Sequence, residues 1–207
     1  MKFNFLSLML IAASVSFTSC NSEGKSTKSQ TDTISKVDTL AEIDLKVVSE
    51  KIMIAIKEKN YEALANFVHP TEGVRFSATS IIDVKNDKVL TKDLILELSK
   101  SKKKFKWGVD EGIGDPINLS INNYFDQFVY DVDFIKLAKK ELNKVTNSVE
   151  PTRTIKNVYP KSQFVEYYYA GDGKKYDGLD WKALTLIFKN ENNNAYLIGI
   201  SHRQWAP

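Results

Sequence analysis

Three runs decide the fold: QFVEYYYA at residues 163–170, WKALTLIFK at 181–189 and AYLIGISHRQW at 195–205. Each is rich in β-branched and aromatic side chains, which fit a pleated, half-buried surface, and each predicts a strand. Gly171 to Gly178 joins the first two. Glu191 to Asn194 is short enough to be a tight hairpin turn between the last two. The chain therefore ends in an antiparallel meander. Alternation places Tyr196, Ile198, Ile200 and His202 on one face of the last strand. His202 then stands at the end of a buried stripe, where a pocket could open.

Upstream of the meander the period changes. Ala41, Leu45, Val48, Ile52 and Ile56 recur at three- and four-residue spacing, an amphipathic helix with Asp38 or Thr39 as cap and Glu42 in its first turn. Tyr61 to Val68 predicts a second, short helix stopped by His69-Pro70, because a residue before proline avoids the helical region. Residues 73–77 and 81–84 read as strands, with a turn at Asn86-Asp87. Thr91 caps a helix to about Ser101, and Ser120 caps one from Ile121 to Val129. Lys102 to Trp107 is a basic strand or loop, and residues 108–116 are broken by glycine and proline. Residues 131–145 are ambiguous, with a spacing that fits a helix, and 146–153 read as polar loop. Helices first and a meander last make an α+β domain.

The N-terminus carries a different signal. Lys2 is a minimal positive region, Phe3 to Val15 is apolar, and Phe17-Thr18-Ser19-Cys20 follows. A signal ending on cysteine resembles the lipobox of bacterial lipoproteins, with Phe17 an atypical first position. The expectation is a signal peptide at residues 1–19, a mature N-terminus at Cys20 carrying acyl chains (palmitate among them), a flexible tether over 20–39 and one α+β domain over 40–207. The protein would then sit in the bacterial cell envelope, held to the membrane by lipid. The competing readings are an ordinary signal with a stray cysteine, or an uncleaved anchor; the apolar run is short for a span.

Composition narrows the chemistry. Cys20 is the only cysteine, so once it carries lipid no thiol remains for catalysis, disulfides or a zinc cluster. A net charge of +3 with interspersed signs does not argue for nucleic acid. No nucleophile elbow, metalloprotease helix, phosphate loop or dinucleotide fingerprint occurs. Neither a cofactor nor a metal is expected; Asp110, Glu111 and Asp115 lack the spacing of a calcium loop. The lysines between 100 and 106 suit a solvated edge or an anionic surface. His69 suits a helix end. Arg75, inside a strand, needs either water or a carboxylate such as Asp131 or Asp180.

Several phrases resemble an uncharacterised group of bacterial envelope proteins: Phe67-Val68-His69-Pro70, Gly73-Val74-Arg75-Phe76-Ser77, Trp107-Gly108, residues 112–117 (GIGDPI), Phe128-Val129-Tyr130-Asp131, Leu179-Asp180-Trp181 and residues 197–202 (LIGISH). The order of elements resembles the NTF2-like, cystatin-like cone, in which N-terminal helices pack on a bent antiparallel sheet. The resemblance implies no activity. The chain departs from the group with Arg203 where an acid is common and Tyr168 where a histidine is expected.

The leading expectation is a non-catalytic domain that binds a small molecule, a glycan or an envelope protein in the hollow of the cone, lined by His202, Arg75, Trp107 and Tyr168. The alternative is a small hydrolase or isomerase with His202 as general base, oriented by Asp180. A third is an interaction module with a filled core.

Overall fold

The computed structural model describes residues 43–110, 113–148 and 150–205. The signal peptide, Cys20, the tether and the expected caps Asp38 and Thr39 lie outside the described residues, as does Glu111. The first helix, α1 (Leu45–Lys57), is capped by Asp44, whose carboxylate accepts from the amides of Lys46 and Val47. Lys59 at φ 52° turns the chain out of α1. Asn60 caps α2 (Tyr61–Ala65), and Gly73 leads into β1 (Val74–Ser77). Gly73 has φ +68°, and a Cβ there would stand 2.6 Å from the Leu90 carbonyl oxygen, so both backbone and space demand glycine.

Residues 81–84 form bends and turns instead of the expected strand; β2 is Lys88–Leu90, antiparallel to β1. Thr91 caps α3 (Lys92–Ser99). The basic run leads into β3 (Phe105–Val109), paired with β4 (Pro116–Leu119) as a separate two-stranded ribbon. Ser120 caps α4 (Ile121–Phe128). The ambiguous stretch divides: α5 (Phe134–Leu137) stops where Ala138 turns extended, and β5 (Lys139–Leu142) follows. Asn143 at φ 54° then ends the strand. Part of the expected polar loop is helix α6 (Glu150–Val158). The meander is β6 (Gln163–Tyr169), β7 (Lys182–Glu191) and β8 (Asn194–Gln204). Asn192 and Asn193 both have positive φ, the geometry of a two-residue turn whose twist matches the strands.

The main sheet has six strands in the order β2-β1-β8-β7-β6-β5. It is mixed, not purely antiparallel: β1 reaches β8 from the far end of the sequence and pairs parallel to it, Arg75 opposite Gly199 and Ser77 opposite Ser201. In β8 the pairing with β7 slips between Gly199 opposite Ile187 and Leu197 opposite Phe188. Ile198 is the extra residue of a β-bulge, and the face reverses there. Ile200 and His202 point to one side with Leu197; Ile198 points to the other. The single stripe expected from alternation is thus two.

Both faces are covered. Helices α1, α2 and α4 and the β3–β4 ribbon pack a large core against Phe76, Val165, Leu184, Leu186, Phe188 and Ile200. On the opposite face α6 and Ile82 build a smaller core with Phe164, Ile187 and Ile198. Among the described residues no helix is long and apolar enough to cross a membrane.

Candidate functional site

β8 carries His202 into the edge of the larger core, where its ring meets Phe128 edge-on. Its Nε2 lies 3.2 Å from Asp131 Oδ2, and the Lys182 ammonium donates to the same oxygen. The imidazole therefore presents Nε2–H to the carboxylate. Burial pushes the Asp131 carboxyl up, but the hydrogen bond and charge of His202, with those of Lys182, outweigh it and hold it below the ordinary carboxylate range. His202 Nδ1 and Asp131 Oδ1 are buried without a hydrogen-bond partner. An imidazole oriented by a carboxylate is the arrangement of a general base, yet His202 is 1% exposed and substrate cannot reach it. Nothing in one strand's pattern selects Asp131, which lies in the turn after α4.

Asp180 is not at His202. Its carboxylate accepts from the amide of Asp172 and, at 3.4 Å, from the Tyr169 hydroxyl, closing the loop between β6 and β7. Trp107 is fully buried, stacked on Tyr124 at 3.8 Å between centroids and donating to the Leu119 carbonyl. Arg75 lies on the other face of the sheet from His202, donating to the Tyr159 hydroxyl and the Val84 carbonyl. Tyr168 also lies on that face, ring against Trp181, its hydroxyl accepting from Asn147. The four expected lining residues therefore do not converge. Arg203, beyond them, makes a buried pair with Glu166 at 2.6 Å, and Glu166 also accepts from the amide of Thr146. His69 accepts the amide of Glu72 at Nδ1 and meets Glu191 through Nε2, fastening a turn to the β7–β8 hairpin. Among the described residues no three His, Cys, Asp or Glu side chains group as a metal site.

The cavity of the concave face lies elsewhere. A cleft of about 300 Å³ opens between α1, α5 and the β5–β6 pair. Ile54, Phe134, Ile135 and Ala138 make it apolar, while Glu50 and Lys140 stand at it as an ion pair. Tyr167 lines it too, its hydroxyl 2.8 Å from Ser49 Oγ. Burial pushes the Tyr167 phenol up to about 12, so it stays protonated. The cleft offers apolar walls and a few polar groups, which is how small-molecule sites are commonly made. Alternation could have placed Tyr167 inward; Phe134, Ile135 and Lys140 meet it only because residues 134–142 fold as helix then strand.

Helices packed on a six-stranded mixed sheet make this an α+β domain. No family model matches the chain, and no curated protein matches it. Among solved structures, a putative calcium/calmodulin-dependent protein kinase II association domain from Xanthomonas campestris overlays with TM-score 0.33 at 10% identity, covering 80% of this chain and 90% of that one. A chain whose designation contains NTF2 overlays with TM-score 0.34 at 9% identity, covering 76% and 94%. A DUF4783 family protein from Bacteroides ovatus overlays with TM-score 0.28 at 11% identity, covering 74% and 92%. Overlays this loose do not define a fold; the sheet order and helix placement do.

Proposed function

We propose that the protein is a lipid-anchored bacterial envelope protein whose α+β domain binds a small, mainly apolar ligand without transforming it. The observation that carries the binding reading is the cleft between α1, α5 and β6. Its size suits a single ring or short chain, and the groups around it are poor proton carriers: Lys140 is committed to Glu50 and the Tyr167 phenol is held protonated. His202, the natural base, is sealed behind Phe128 and Asp131. The anchor rests on the order of residues 2–20 alone.

Two measurements test the two halves separately. Mass spectrometry of the membrane fraction is expected to find a mature N-terminus at Cys20 with acyl mass attached, lost in Cys20→Ser; a free thiol at Cys20 would overturn the anchor. For the cleft, a panel of small apolar probes (indole, octanoate, cyclohexanol) is expected to include one that raises the melting temperature of the full chain, as a ligand of the native state must. Ile54→Trp, which fills the cleft from the half-exposed side of α1, removes that rise. A panel that never distinguishes Ile54→Trp from the parent sinks the binding reading.

A further inference from the structure

A second depression, of about 500 Å³, lies on the opposite side of the β5–β6 pair, between the turn after β5 and helix α6. Asn143 bends the chain there in the left-handed region, its side chain accepting the amide of Phe164, and this turn brings Lys144 to face α6. The lining is cationic and polar: Lys144, Arg153 and Lys156 with Ser148, Thr152 and Asn157. No carboxylate lines it, and its one apolar lining residue, Val145, belongs to the smaller core. Arg153 is paired with Glu150 one turn earlier in α6. Lys144 and Lys156 make no salt bridge among the described residues; Lys144 acts only from a distance on Glu141, which is bound to Lys139. The hydroxyls of Ser148 and Thr152 and the Asn157 amide are likewise without side-chain hydrogen bonds there. Three cations converging on a concave surface repel one another, and hydrogen-bond donors left pointing into the same space wait for an acceptor.

We infer that this depression is an anion site for a phosphomonoester. The two ammonium groups of Lys144 and Lys156 balance a dianion, Arg153 being neutralised by Glu150 yet still able to donate, and the hydroxyl and amide donors reach its remaining oxygens. The inference is independent of the apolar cleft, which lies on the other side of the sheet. A phosphomonoester reaches such a site either as a lipid headgroup or as a soluble sugar phosphate.

The experiment is calorimetric titration of the detergent-solubilised full chain with inorganic phosphate. The parent is expected to bind. Lys144→Gln with Lys156→Gln weakens binding by about tenfold or more, two charge-assisted contacts having been removed. Lys103→Gln with Lys104→Gln, the same charge change in the exposed basic run, leaves it unchanged. Because all four lysines are exposed, matching melting temperatures show that the folds are intact. No phosphate binding by the parent, or equal weakening in both double variants, overturns the site. Titration with glucose 6-phosphate and with dihexanoyl phosphatidic acid then separates the sources: tighter binding of the lipid assigns a headgroup, tighter binding of the sugar assigns a soluble ester.

Discussion

Asp87 shows how one side chain can set a pH response. Burial pushes its carboxyl up to about 6, against hydrogen bonds from the Ser77 hydroxyl and the Asp83 amide and the nearby charge of Arg75. The folded state therefore holds this proton more tightly than the unfolded chain does. The associated stabilisation is complete below the ordinary carboxylate range and is lost as pH rises through about 6. Asp131 has the opposite sign: its folded value is lowered, so its contribution is present above the ordinary range and lost as pH falls. Asp87→Asn keeps the single oxygen that both donors use. Its melting temperature relative to the parent is expected to be level near pH ~4 and to climb toward pH ~7. A pH-independent offset would show that ionisation of Asp87 is not felt by the fold. At this scale the sequence is least legible. His202 and Asp131 are 71 residues apart, and Glu166 meets Arg203 across β7, so no local pattern pairs them.

Among the elements, α1 depends on its first turn. The Asp44 carboxylate satisfies amides that no earlier carbonyl can reach, 2.9 Å from Lys46 N and 3.3 Å from Val47 N. Asp44→Ala is expected to cost about 1 kcal/mol, read from chemical denaturation, with Asp44→Ser restoring most of it. An unchanged midpoint would mean that tertiary packing alone holds the turn. The period of α1 was legible because it buries one regular stripe, and the three closing strands because their runs of β-branched and aromatic residues are buried on both faces. β5 was not: its KKEL sequence lies at the sheet edge, with no fully buried residue, and continues the spacing of α5. Helix α6 was hidden because only Ile155 and Val158 are apolar in it, and Pro151 near its start reads as loop unless the helix is already known. The bulge at Ile198 is a one-residue departure that alternation cannot announce.

For the molecule as a whole, the architecture followed from helices preceding a meander, but the site did not. Trp107 and His202 face the larger core while Arg75 and Tyr168 belong to the other side of the sheet. Their chemistry suggested a common hollow; the sheet stands between them. The cleft and the basic depression instead lie on either side of the β5–β6 pair, each made where a helix leaves that pair incompletely covered.

The parallel pairing of β1 with β8 also governs when the domain can form. Among the described strands β1 comes first and β8 last, yet they are neighbours near the middle of the sheet. β2 reaches the sheet only through β1, so this whole flank must wait for the last strand. Any process that delivers the chain from its N-terminus, whether synthesis or passage through a pore, hands over every element from β2 to β7 before β1 can meet β8. Until then β1 lacks its strand neighbour on the β8 side, and the early segments remain open to a holding partner or to mispairing.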